Sequence, residues 1–176
     1  NFSEIDGMEK KFAQLREHNF DSCQLVSWNP AAWTDENASL LKTLLEQYQI
    51  TVSAFWCGWS GPAAWNFYDG PLTLGLVPVE YRQMRIENLC DGADFAHKLG
   101  ITDVVTHMGF IPENPYDPNF SSFCIAVRTV AEHLKKNGQC LLFETGQETP
   151  VTMLRCFEAV GTDNLYVNLD TANLIL

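Results

Sequence analysis

The sequence predicts an α/β protein built on a parallel sheet, with an eight-stranded α/β barrel ahead of an open doubly wound sheet. Three observations point there. A short apolar run, a loop and an amphipathic helical pattern follow one another five times along the 176 residues. The runs are hydrophobic without alternation, as strands covered on both faces must be. Their C-terminal ends carry ionisable side chains, His107, Glu144 and Asp170, and that edge of a parallel sheet is where sites are built. Neither the glycine-rich dinucleotide fingerprint nor a P-loop follows any strand, which removes the commonest nucleotide signatures.

The first helix carries Met8, Phe12 and Leu15 at helical spacing, with Asp6 and Glu9 placed like a capping box. The run Cys23–Trp28 reads as a strand. A helix then starts from a Thr34 cap, with Asp35 and Glu36 in its first turn and Leu40, Leu41, Leu44, Leu45 and Tyr48 along it. The strand Ile50–Trp56 follows. The third helix shows Met84, Ile86, Leu89, Cys90, Ala93, Ala96 and Leu99 and stops at Gly100. After the strand Thr102–His107, a fourth helix opens at Asp117-Pro118 and buries Phe123, Val127, Val130 and Leu134 before Asn137-Gly138. The strand Cys140–Glu144 leads to a helix from Thr149-Pro150 to Gly161, carrying Val151, Leu154, Phe157 and Val160. Leu165–Asp170 is the last strand. The count gives the second to the sixth strand of eight. The expectation is therefore one partial barrel domain, residues 1–176, without the first strand and the last two βα units. Such a piece, a fragment or part of a longer protein, leaves two open parallel edges that favour association.

Composition narrows the function. The chain is 46% hydrophobic and 19% charged, which is ordinary for a folded domain, and its net charge is −11. That sign argues against nucleic acid or an anionic membrane as a general partner. No apolar run is long enough to span a bilayer and no signal peptide is visible. Six widely spaced cysteines, none in a C-x-x-C pair, read as buried reduced thiols of a cytoplasmic protein.

Chemistry concentrates at the strand ends. Two carboxylates, Glu144 and Asp170, at the ends of adjacent parallel strands repel unless a proton or a cation sits between them. An oxygen-rich pair suits Mg²⁺ or Mn²⁺. Taken singly, each reads equally as a capping or turn residue. His107, on the same rim, is expected to bind substrate; His18, His97 and His133 read as solvent or helix-dipole partners. All five tryptophans, Trp28, Trp33, Trp56, Trp59 and Trp65, lie in or beside two loops. The stretch Phe55–Tyr68 is too long and too rich in Gly and Pro for a plain connector. Its aromatic faces suit the C–H face of a sugar, or else form a buried plug or a subunit interface.

The motifs Leu142-Phe-Glu-Thr-Gly-Gln-Glu148, Val167-Asn-Leu-Asp-Thr-Ala-Asn-Leu174 and Val104-Val-Thr-His107 resemble the xylose isomerase-like barrel superfamily, and within it the sugar phosphate isomerase/epimerase family. The resemblance implies a (β/α)8 TIM-type barrel. It also implies one divalent cation, Mn²⁺ or Mg²⁺ ahead of Co²⁺ or Zn²⁺, held by a fifth-strand Glu, a sixth-strand Asp and a later His and Glu. Glu144 and Asp170 match the first two. Glu144 is then also one half of the acid/base pair that moves a proton between adjacent carbons of an enolised sugar. His107, Trp56, Trp59, Glu148 and Asn173 are the expected substrate contacts, with Asn173 standing where relatives often carry a His. The expected activity is isomerisation or epimerisation of a sugar or sugar phosphate. The alternatives are a dehydratase or lyase on inositol or keto-acid derivatives, an apurinic-site endonuclease, and a sugar-binding barrel without turnover. A small-molecule substrate and a possible homo-oligomer complete the expectation.

Overall fold

The computed structural model describes residues 7–174. Its elements alternate as expected: α1 (Met8–Glu17), β1 (Ser22–Ser27), α2 (Asp35–Tyr48), β2 (Thr51–Cys57), a short α3 (Gly70–Thr73), α4 (Val79–Lys98), β3 (Asp103–Thr106), α5 (Pro118–Lys136), β4 (Cys140–Glu144), α6 (Pro150–Val160) and β5 (Leu165–Asn168). Local chemistry sets their ends. Thr34, Asp117 and Thr149 each accept a backbone N–H of the helix they open, from Asn37, Asn119 and Thr152. Gly161 closes α6 at φ 71°, a left-handed conformation that favours glycine. Asp6, half of the expected capping box, lies outside the described residues; the cap position of α1 is Gly7, which makes no side-chain cap bond. Three expected core positions turn outward. Leu40 on α2 and Val151 and Leu154 on α6 are exposed, because α2 presents Ala38, Leu41 and Leu44 to the core and α6 presents Met153, Cys156 and Val160.

All four neighbouring strand pairs are parallel and the order is β1-β2-β3-β4-β5. A sequential order excludes the doubly wound alternative, in which strand order reverses at a switch point. The sheet is also bent into an arc. Gln24 on β1 donates its amide to Asn168 Oδ1 on β5 at 2.9 Å, although these are the two edge strands. In a flat five-stranded sheet those edges stand about 19 Å apart.

The arc separates two apolar layers. Outward side chains, Leu25, Phe55, Cys57, Val104, Leu141, Phe143 and Leu165, join the helices in the main core. Inward ones, Ala54, Trp56 and Val105, form a smaller cluster with Trp59 and Leu74. Two buried amides lock helices to strands at the bottom of the sheet. Gln139, just before β4, donates to the carbonyls of Ala93 and Ile101. Asn164, just before β5, donates to those of Ala131 and Gln139. Each ties a carbonyl inside a helix, Ala93 of α4 or Ala131 of α5, to one in the segment just before a strand, Ile101 or Gln139.

The long connection after β2 is held from below by two buried arginines of α4. Arg85 has no exposed surface. Its guanidinium donates to Gly75 O and Pro62 O, each at 2.7 Å, and to Ser60 O at 3.4 Å. It also lies over the rings of Trp59 (5.2 Å) and Tyr81 (4.9 Å). Arg82 reaches Leu76 O, Val77 O, Asn119 Oδ1 and Ser122 Oγ. Neither makes a salt bridge among the described residues. Gly75, at φ +64°, lets this connection touch the loop after β3, since a Cβ there would stand 1.9 Å from Met108 C.

Replacing Arg85 with Met strands three carbonyls and should lower stability by roughly 2–4 kcal/mol. Lys in its place should recover only part of this, because an ammonium lacks the planar fork. Urea unfolding of the two variants beside wild type checks both outcomes.

Candidate functional site at the C-terminal rim

Glu144 is the last residue of β4 and points to the inner side of the arc, where Trp56 Nε1 donates to its Oε2 at 2.7 Å. Burial raises its pKa above the usual carboxylate value; the indole bond works against this and the charge of Asp170 adds to it. Asp170 follows β5 by two residues. Thr145 Oγ1 accepts its N–H and donates to its carbonyl, both at 2.9 Å, and Asp170 Oδ1 accepts the Ala172 N–H. The two carboxylates thus sit on adjacent strand ends and feel each other electrostatically.

Beside them opens a cavity of about 580 Å³. Trp65, Phe67, Leu74 and Phe110 give it apolar walls, and Asn66, His107, Gln147, Glu148, Thr149 and Asn173 give it polar ones. His107, at the end of β3, is buried with its ring edge-on to Trp65 at 5.2 Å. Its Nδ1 accepts the Gly109 N–H at 3.1 Å, so the neutral ring carries its proton on Nε2. Burial lowers its pKa from 6.5 to about 4, a hydrogen bond with Gln147 notwithstanding. Gly146 packs against this ring: a Cβ there would lie 2.4 Å from His107 Nε2 and 3.2 Å from Glu148 Oε2. Glu148 turns back so that its Oε1 accepts the Gly146 N–H at 3.2 Å. Burial raises the Glu148 pKa, against its backbone hydrogen bonds. Asn173, in a 3-10 turn (Ala172–Leu174), donates to Thr145 O at 2.9 Å.

Of the residues expected from sequence, His107, Glu148 and Asn173 meet in this cavity, with Glu144 and Asp170 on the neighbouring strand ends. Trp56 and Trp59 are buried beneath it, with Trp28 against both at 4.9 and 5.0 Å between ring centroids. The aromatic wall itself comes from Trp65 and Phe67, which belong to the stretch read as sugar-facing although Trp56 and Trp59 were the contacts expected from it, and from Phe110, which the sequence reading missed. Gln147 was missed too; its buried Nε2 has no hydrogen-bond partner among the described residues. Its only sequence signal is its place between Glu144 and Glu148.

The donor set suits a hard divalent cation in kind, two carboxylates whose mutual repulsion a cation would relieve. Among the described residues no group of three or more His, Cys, Asp or Glu side chains converges, so the pair alone would be an incomplete coordination sphere.

A sequential parallel arc with carboxylates on its C-terminal rim defines an α/β barrel protein with a polar site in the barrel mouth. The chain belongs to the xylose isomerase-like TIM barrel family, whose model matches residues 12–176. Among solved structures it is similar to a xylose isomerase domain protein from Planctomyces limnophilus, at 28% identity and a TM-score of 0.89, covering 94% of this chain and 59% of that one. A xylose isomerase-like TIM barrel protein from Mycobacterium smegmatis, in complex with magnesium, matches at 21% identity and a TM-score of 0.73 over 99% of this chain and 59% of its own. An L-ribulose 3-epimerase matches at 21% identity and 0.73 over 97% and 57%. The last two share the fold. The chain thus spans under three fifths of the length of these relatives. No curated protein matches it. No helix among the described residues is long and apolar enough to cross a membrane.

The lowered His107 pKa has a defined sign. The neutral ring stabilises the fold fully above pH 6.5, and this contribution, up to about 3 kcal/mol, is lost as pH falls from 6.5 toward about 4. Glu144 and Glu148, whose pKa values are raised, act in the opposite direction over the carboxylate range. The difference between wild type and His107→Gln isolates the ring: urea unfolding at stepped pH should show the wild type losing more stability across that window than the variant.

Proposed function

We propose that this chain carries one half of the catalytic apparatus of a divalent-metal-dependent sugar isomerase or epimerase. Residues 1–176 form a single partial barrel domain whose remaining βα units supply the other metal ligands and the second acid/base group. The observation that supports this most strongly is Glu144. It is a strand-end carboxyl with a pKa raised by burial, held through one oxygen by an indole N–H and set beside the Asp170 carboxylate. A raised pKa brings a carboxyl nearer the range where it both accepts and returns a proton at neutral pH.

In this reading Glu144 and Asp170 hold the cation, Mn²⁺ or Mg²⁺. When bound, the cation would supply Lewis-acid chemistry that lowers the pKa of the C–H beside a hydroxy-ketone's carbonyl. Glu144 takes that proton, and the Trp56 N–H steadies the carboxylate orientation between transfers. His107 lines the substrate's cavity and, through its bond with Gln147, orients that amide so that Gln147 Nε2 binds a substrate hydroxyl, as do Glu148 and Asn173. Trp65, Phe67 and Phe110 cover the sugar's C–H face and keep water from the enediolate. Trp56 and Trp59 act from beneath, supporting this wall and the carboxylate. A Mg²⁺ complex and a ketose 3-epimerase among the structural neighbours agree with this chemistry. The substrate is a small sugar; the net charge of −11 disfavours nucleic acid. Six free cysteines suit a reducing cytoplasm.

The test is exchange of a substrate C–H with solvent, followed by NMR in D₂O on the protein that contains this chain, with a panel of ketoses and Mn²⁺. Glu144→Gln should slow exchange by at least about 100-fold and weaken metal binding; exchange at the wild-type rate would remove Glu144 from the mechanism. Trp56→Phe deletes a bond that favours the ionised carboxyl, so the limb of the pH–rate profile set by Glu144 should move to higher pH.

A further inference from the structure

Gln147 lines the cavity, and its buried Nε2 has no hydrogen-bond partner among the described residues. A buried amide N–H without an acceptor is costly, so such a donor in a cavity wall points to a ligand oxygen. Which way the amide faces follows from the backbone. A main-chain N–H can only donate, so the Gly109 N–H at 3.1 Å makes His107 Nδ1 an acceptor. The neutral ring then carries its one proton on Nε2. His107 is hydrogen-bonded to Gln147, and a ring N–H calls for the amide oxygen. Gln147 Oε1 therefore takes that bond, and the Nε2 hydrogens turn away from the ring.

Close backbone packing holds the parts of this relay. Gly109 sits at φ +91°, and a Cβ there would stand 2.1 Å from Leu74 O. Met108 O accepts the Leu76 N–H at 2.9 Å, which ties the loop after β3 to the connection before α4. Gly146 brings the loop after β4 against the ring, a Cβ there standing 2.4 Å from His107 Nε2. Glu148, next to Gln147, lines the same cavity with the opposite polarity. One of its oxygens accepts the Gly146 N–H, and an ionised carboxyl can only accept.

We infer that Gln147 is a specificity-determining residue: its amide, held in one orientation through Gly109 and His107, reads with Glu148 a hydroxyl group of a polyol. The three simplest replacements all fail there. A methylene leaves Gln147 unpaired, an ammonium offers it no lone pair, and a carbonyl offers Glu148 no proton. His107 is then a positioning residue, acting through the amide. The identity of the ligand as a sugar rests on the reading above; the direction of the amide does not.

The first measurement needs no ligand. NMR of the ring nitrogens at neutral pH, on the protein that contains this chain, should show His107 protonated on Nε2; a proton on Nδ1 overturns the inference. The second titrates a panel of ketoses and myo-inositol, then analogues of the tightest binder with single hydroxyls replaced by hydrogen or an amine. Loss of one particular hydroxyl should weaken wild-type binding at least about tenfold and Gln147→Met less than about twofold, since that variant has no donor to strand. His107→Phe should bind the parent polyol at least about threefold more weakly, and His107→Gln, whose amide can donate in place of Nε2, should restore most of this. Equal losses in wild type and Gln147→Met, or wild-type affinity in His107→Phe, overturn the inference. If a variant does not fold, wild type decides: the bound polyol should shift the Gln147 side-chain amide resonance, and the analogue without that hydroxyl should not. A ketose that exchanges its C–H with solvent but leaves this amide unmoved removes the inference alone. If only myo-inositol binds and moves it, the inference stands and the sugar reading falls; if no polyol moves it, both fall.

Discussion

A long, aromatic connection cannot lie against a protein core unless its backbone carbonyls find donors, and Arg85 and Arg82 meet that requirement. Their guanidiniums gather carbonyls from residues 60 to 77 with no ion pair of their own among the described residues. What rests on them is a continuous stack. Arg85 lies under Trp59, Trp59 packs against Trp28 and Trp56, and Trp56 donates to Glu144. The placement of one carboxylate is thus tied to a buried cation on a helix whose sequence pattern looks like ordinary packing.

The framework was readable from the chain, since its signals are local. Thr34, Asp117-Pro118, Thr149-Pro150 and Gly161 mark helix ends by their own side chains or lack of one, and the strand Cys140–Glu144 has the expected bounds. Glu144 and Asp170 were legible because strand-end position in a parallel sheet is a matter of chain order. The arginines were not, because a charged residue in a helix normally faces water and only tertiary contacts reveal otherwise. Nor does composition tell which of five tryptophans faces the cavity: Trp65 does, while Trp56 and Trp59 turn beneath it. Gln139 and Asn164 escaped for a similar reason, since a single amide before a strand has no periodic signature.

The site balances desolvation against local dipoles. His107 is kept neutral by burial, Glu144 and Glu148 are pushed toward their protonated forms by it, and Glu113, more open to solvent and well bonded, stays charged. The buried and half-buried groups are thus pushed toward neutrality, while the exposed Glu113 keeps its charge.

The bond between Gln24 and Asn168 joins residues 144 positions apart. A contact of such separation closes a very long loop and needs every intervening strand in register. Curvature of the arc is therefore a property of the assembled sheet and not of any single βα unit. The rim that carries Asp170 owes its shape to pairings along the whole described sheet, from β1 to β5.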